Sequence, residues 1–114
     1  IGGGVKKTEN AIDAIVREVW EETGLTVENP RLCGVKQFLT KENARYVVFF
    51  YKATQFSGQI KSSDEGEVFW VPREKLAQYR CVSDFPDMIQ VMESPELNEF
   101  QYVVRGDDWQ IRLL

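Results

Sequence analysis

The stretch from Asn10 to Gly24 constrains the fold most, because it reads as one helix with a stop signal at each end. Asn10 is a good N-cap, and Asp13 three residues later can complete a capping arrangement. Ile12, Ile15, Val16 and Val19 follow at helical spacing and form one apolar stripe. Gly24 suits the left-handed residue that ends a helix, so the helix is expected over residues 11–23. On a wheel of 100° per residue, Glu18, Glu21 and Glu22 fall together on another side, within an arc of about 100°. Their spacing of three and four residues brings the side chains together, and like charges so placed repel unless something positive is bound. Arg17, four residues before Glu21, neutralises only part of that charge. Taken alone, three such glutamates are as readily a solvated helix face as a cation site.

The surroundings of the helix favour the second reading. Three glycines, Gly2 to Gly4, precede it, with Glu9 between. A glycine loop lets backbone groups approach a metal-bound phosphate closely, since no Cβ stands in the way. Hard oxygen ligands are what Mg²⁺ prefers, commonly with substrate phosphates among them.

Composition narrows the chemistry further. The chain has 114 residues, a length for one domain, and its net charge of −4 argues against gripping a nucleic-acid backbone. It does not argue against a small phosphorylated ligand, because a bound cation can reverse local charge. There is no histidine, which removes Ser-His and Cys-His nucleophile pairs and every His-containing zinc site. Hydrolysis would have to rest on carboxylates, lysines, tyrosines or metal. The longest purely apolar run, Val47 to Tyr51, is too short to cross a bilayer, and no leader of the secretory kind is present. Cys33 and Cys81 read as reduced thiols in a cytoplasmic protein.

Beyond the helix, strands are expected over Leu32–Leu39, Arg45–Thr54 and Val68–Val71. Arg45–Thr54 is apolar on both alternating faces, as in a strand covered on both sides. A short helix is expected from Pro72 or Arg73, and another over Pro86–Glu93. Two strands, near Phe100–Val104 and Trp109–Leu113, would be joined by a turn at Arg105–Asp108. No repeat or linker divides the chain, so the expectation is one mixed α/β (α+β) domain over residues 1–114.

The pattern Gly3-x5-Glu9-x7-Arg17-Glu18-Val19-x-Glu21-Glu22-x-Gly24-Leu25 matches the Nudix box at every defining position. Seven fixed residues and two apolar ones would coincide by chance on the order of once in a billion positions. The chain therefore resembles the Nudix hydrolases, with the box at residues 3–25. Longer stretches, Tyr51–Gly58, Asp64–Trp70 and Met92–Phe100, look like the MutT-like proteins of Gram-positive bacteria, usually described as 8-oxo-dGTP diphosphatases. The resemblance implies an α/β/α sandwich around a mixed sheet, with the strands that relatives carry ahead of the box missing from this sequence. A partner chain could fill the resulting edge, so a monomer or a homodimer is expected. It further implies Mg²⁺ or Mn²⁺ on Glu18, Glu21 and Glu22, with the backbone carbonyl of Gly2 as a further ligand, and no organic cofactor. Arg17 and Glu9 would orient those carboxylates.

In MutT-like relatives another glutamate, on a loop before a late strand, reaches the metal. Glu65 holds the matching place and Glu67 is the alternative, the bland reading being a loop carboxylate that only caps or solubilises. An Asn or Asp before the third helix reads the purine edge in those relatives. Asp84 is the candidate here, although a plain N-cap would look the same in sequence, and Phe85 could stack on a base or simply pack. The activity implied is hydrolysis of a nucleoside diphosphate linked to another group. The expected substrate is an ordinary or oxidised nucleoside triphosphate, cut to monophosphate and pyrophosphate, with Glu18 or Glu65 taking a proton from water. The ADP-ribose and dinucleoside-polyphosphate branches tend to carry a Pro or Tyr about sixteen residues after the box, and Leu39–Asn43 has neither. A nucleotide-sensing module without catalysis is the remaining alternative, although such modules commonly lose the glutamates retained here.

Overall fold

The computed structural model describes residues 1–114 as two compact units, Ile1–Arg31 with Ala53–Arg80, and Leu32–Lys52 with Cys81–Leu114. In the first unit, helix α1 spans Ala11–Thr23. The Asn10 side chain accepts from the Asp13 amide, and Gly24 adopts the left-handed conformation at φ 80° that the helix stop requires. Ala14 and Thr23 are the buried residues of α1; Ala14 lies on the glutamate side of the helix, while in the apolar stripe Ile15, Val16 and Val19 are half-buried and Ile12 is exposed. Strand β1 (Thr26–Glu28) runs against α1 and pairs antiparallel with β4 (Gln55–Ser57), Val27 opposite Phe56. Neither three-residue strand was expected, because segments this short and polar carry no readable periodicity. A 3₁₀ helix, Arg73–Gln78, follows Pro72 as expected.

The second unit is a four-stranded mixed sheet in the order β3-β2-β5-β6. Its strands are β2 (Arg31–Leu39), β3 (Arg45–Lys52), β5 (Glu99–Arg105) and β6 (Asp108–Leu113). β2 and β5 are parallel, with Lys36 opposite Phe100, and β5 and β6 form an antiparallel hairpin. Helix α2 (Phe85–Glu93) packs on β3 and β5 through a small core of Phe50, Val91 and Phe100, each almost fully buried. Such side chains contribute roughly 1.5–3 kcal/mol each on burial. No helix in either unit is long and apolar enough to cross a membrane.

Two expectations fail. Val68–Val71 forms no strand: the Val68 amide is spent on the Ser62 hydroxyl at 3.1 Å, and Pro72 follows at once. Phe69 and Trp70 stay exposed and pack on Tyr79 and Phe56 instead. β3 ends at Lys52 and is not covered on both sides. It lies at an edge of the sheet, where Tyr46, Val47 and Phe49 remain about half exposed and Phe50 is buried.

Candidate metal and phosphate site

The Nudix-box residues of the first unit are organised by one arginine. Arg17 grips Glu9 with two parallel bonds, Nε donating to Oε2 at 2.7 Å and Nη2 to Oε1 at 3.0 Å. The same group donates through Nη1 to Glu18 at 2.8 Å and to Glu21 at 3.2 Å, and through Nη2 to the Gly4 carbonyl at 3.1 Å. A planar fork of five donors serves four acceptors at once, which an ammonium cannot do. Glu9 is further held by the Lys6 amide at 2.9 Å. Hydrogen bonding from Arg17, then from that amide, lowers the Glu9 carboxyl to about 2, and Glu9 and Glu18 make Arg17 hold its proton more tightly than usual. Glu9 is thus a permanent anchor for the arginine that orients Glu18 and Glu21.

Glu18 lies against the glycine loop so closely that a methyl group on Gly3 would overlap its carboxyl group. A side chain at this position would have to push the Glu18 carboxyl group aside. Glu22 faces away from Arg17: its Oε2 accepts from the Gly2 amide at 3.2 Å, and its carboxyl lies in hydrogen-bonding reach of Glu65. Burial first, and then Glu65, push the Glu22 carboxyl above its ordinary value.

Glu65 reaches this place through a series of local contacts. Thr23, buried at the end of α1, accepts the Lys61 amide on its carbonyl at 2.7 Å. Its hydroxyl donates to the Val19 carbonyl at 2.6 Å and accepts the Leu25 amide. Two residues beyond Lys61, Ser63 and Gly66 exchange both backbone hydrogen bonds around Asp64–Glu65, and the Ser63 hydroxyl accepts the Glu65 amide. The loop is therefore tied to the helix end and its turn presents Glu65 to Glu22. Glu67, the other candidate, is exposed beyond that turn. Sequence reasoning missed Lys6, Thr23 and Lys61, because two of them act through backbone groups that any residue carries.

The structure thus brings Gly2, Gly3, Glu9, Arg17, Glu18, Glu21, Glu22 and Glu65 together in one unit, but in two sets: Glu18 and Glu21 on Arg17, and Glu22 on Glu65. No three carboxyl groups converge on a single point. The donor set still suits a hard divalent cation. Every available side-chain ligand is a carboxylate oxygen, and the opposed Glu22 and Glu65 need a proton or a cation between them.

Asp84 and Phe85 belong to the second unit. Asp84 holds the N-cap position of α2 but makes no side-chain bond to that helix. Its Oδ2 instead accepts from Lys36 Nζ at 2.7 Å and from the Tyr102 hydroxyl at 2.8 Å. Lys36 keeps the Asp84 carboxyl below its ordinary value, while burial and then Asp84 push the Tyr102 hydroxyl up to about 12. Phe85 opens α2, half-buried, its amide donating to the Val82 carbonyl at 3.0 Å. Lys36 was not picked out from sequence; a lysine two residues from Phe38 on one face of an apolar strand was the available signal.

Comparison with known proteins identifies the family. The sequence profile of the NUDIX domain matches residues 1–93. The uncharacterized Nudix hydrolase YvcI of Bacillus subtilis (strain 168) is 34% identical over 74 residues, covering 60% of this chain and 47% of YvcI. The chain spans about half the length of that curated relative. The crystal structure of the mMutator MutT protein from Bacillus halodurans superimposes with a TM-score of 0.77 at 28% identity, over 97% of this chain and 78% of that one. With an intact box that runs through its first helix and a MutT-like fold, the chain belongs to the Nudix hydrolase family.

Proposed function

We propose that the 114 residues act as a single Nudix domain that hydrolyses a nucleoside diphosphate linked to another group, with Mg²⁺ or Mn²⁺ as cofactor. The preferred substrate is an ordinary or oxidised nucleoside triphosphate, released as monophosphate and pyrophosphate. The observation that carries this reading is the arrangement around α1, in which Arg17 orients Glu18 and Glu21 while Glu22 and Glu65 oppose each other. A helix face that only kept the protein in solution would have no need of a half-buried arginine fork or of two carboxyl groups held in contact.

Glu18, Glu21, Glu22, Glu65 and the Gly2 carbonyl are the proposed ligands. When bound, the metal would supply neutralisation of the diphosphate oxygens and acidification of a water. The protein's own part is positional and acid–base. Arg17, anchored on Glu9, fixes the carboxyl groups of Glu18 and Glu21. Glu18 or Glu65 accepts the proton of the attacking water. Asp84 and Phe85 are the proposed contacts for the base. The reading also includes a cytoplasmic setting, supported by two thiols, Cys33 and Cys81, that form no disulfide. It takes the chain as a monomer or homodimer acting on a small molecule, and not on a nucleic-acid polymer.

The test is a panel of nucleoside triphosphates, ADP-ribose and dinucleoside polyphosphates incubated with and without Mg²⁺, with phosphate, pyrophosphate and nucleotide products resolved. Monophosphate with pyrophosphate from a triphosphate supports the reading, and no metal-dependent turnover on any member overturns it. Gly3→Ala supplies a finer check. Its methyl group must displace the Glu18 carboxyl, a flexible chain end, so the melting temperature should hardly move. Turnover should nonetheless fall by about 10-fold or more, as expected when a ligand-orienting contact is disturbed.

A further inference from the structure

The position of Asp84 is unusual for an aspartate at the start of a helix. An N-cap carboxylate ordinarily accepts an amide of the first turn. Asp84 instead turns onto the sheet, where residues from two strands take the same oxygen, Lys36 from β2 and Tyr102 from β5. The Lys36 ammonium also lies 5.2 Å and 5.3 Å from the ring centroids of Phe100 and Tyr102, so its position is fixed by two rings as well as by the carboxylate. Asp84 and Lys36 are both largely buried, with side chains 14% and 15% exposed. The Tyr102 ring in turn meets Trp109 edge to face at 5.3 Å, and Trp109 is about half exposed. A fixed carboxylate therefore stands beside an aromatic surface open to a flat ligand. Tyr102 and Trp109 lie in the β5–β6 hairpin, beyond the residues that the NUDIX domain profile matches.

We propose that Lys36 and Tyr102 are positioning residues for substrate, a role that rests on the reading of this chain as a hydrolase of nucleoside diphosphate derivatives. By engaging Oδ2 they draw Asp84 off its helix and leave Oδ1 as a fixed acceptor for a base edge with adjacent N–H donors. A guanine-type edge, with a ring N–H beside an amino group, meets that requirement. Adenine sets its amino group beside a ring nitrogen whose lone pair the carboxylate repels. The charged and titratable groups around Asp84 are Lys36 on β2, Tyr102 on β5 and Asp87 on α2, the last acting through Tyr102. Lys36 dominates, and it keeps Asp84 an acceptor well into acid.

The experiment uses Mg²⁺-dependent turnover of dGTP and dATP by the wild-type protein and by K36M, K36R and Y102F, from pH 5 to 8. K36M should raise KM for dGTP by about 10-fold with kcat little changed, as loss of a charge-assisted hydrogen bond that orients a binding group implies. The preference for dGTP over dATP should narrow in parallel. In K36M, KM for dGTP should also worsen towards pH 5, because burial then raises the Asp84 carboxyl with only the Tyr102 hydroxyl and a backbone hydrogen bond acting against it; the wild type should show no such rise. K36R should restore most of the loss, since a guanidinium also donates to a carboxylate. Y102F, which keeps the ring and removes one donor, should give a smaller change in the same direction and carries the test if K36M fails to fold. Folded K36M or Y102F with unchanged KM, base preference and pH profile would overturn the role of these residues while leaving the hydrolase reading standing. A wild type that turns over no nucleotide of the wider panel would overturn both.

Discussion

Glu22→Gln should lower Mg²⁺-dependent turnover by more than about 100-fold, beyond the range found for groups that only orient a ligand, while the metal-free protein becomes no less stable. The two halves of this expectation come from the same contact. Glu22 is pushed above its ordinary carboxyl value, first by burial and then by Glu65. The folded chain therefore holds that proton more tightly than the unfolded chain does. Stability from this group is greatest at acid pH and declines as pH rises from the ordinary carboxyl value through the raised one. At neutral pH the ionised pair is a cost, set against function, and a neutral amide removes it. In buffer containing EDTA, the melting temperature of E22Q at pH 7 should equal or exceed that of wild type by about 1–3 °C, and its decline between pH 5 and 7 should be shallower. Added Mg²⁺ should raise the melting temperature of wild type and leave E22Q nearly unmoved, since only a ligand bound by the folded state stabilises it. A variant that kept full turnover would remove Glu22 from the metal site. One that lost turnover together with its fold would make Glu22 a structural residue.

How much of this was legible in the sequence depended on the distance over which each interaction acts. α1 and its two caps are set by neighbours within four residues, so Asn10, Asp13 and Gly24 announced the helix that the structure contains. The Arg17 contacts to Glu18 and Glu21 are equally local, whereas its fork on Glu9 depends on how the glycine loop returns to the helix. Glu65 lies more than forty residues from Glu22 and was picked out only by resemblance. What brings it near is the Lys61 amide on the Thr23 carbonyl, a backbone bond without a side-chain signature. Val68–Val71 failed for the converse reason. Its apolar pattern suited a strand, but a serine hydroxyl six residues earlier satisfied the amide that a strand would have used. Asp84 had two readings in sequence, cap or base contact. Lys36 and Tyr102, 48 and 18 residues away, draw its side chain off the cap position. Tertiary pairing at such separations leaves no periodic trace in a single sequence.

Arg17→Lys should behave almost as badly as Arg17→Met, with turnover falling by about 10–100-fold in both, the range for residues that orient metal-binding groups. Charge alone would predict otherwise, because lysine retains it. The geometry decides: Nε and Nη2 are both committed to Glu9, Nη2 also reaches the Gly4 carbonyl, and Nη1 is left for Glu18 and Glu21. A single ammonium on a flexible chain can sit on Glu9 or between Glu18 and Glu21, but it cannot hold both at fixed orientation. With lysine, the Glu9 carboxyl should rise from about 2 towards its ordinary value, and NMR titration of side-chain carboxyl groups would follow that rise directly. Loss of orientation should appear as weaker metal affinity, so higher Mg²⁺ should recover part of the activity of R17K. Loss of a catalytic group would leave a deficit that no Mg²⁺ concentration repairs. Mg²⁺ titrations of turnover for wild type, R17K and R17M separate these outcomes. An R17K activity equal to wild type at limiting Mg²⁺ would mean that charge, and not the fork, is what α1 requires at this position.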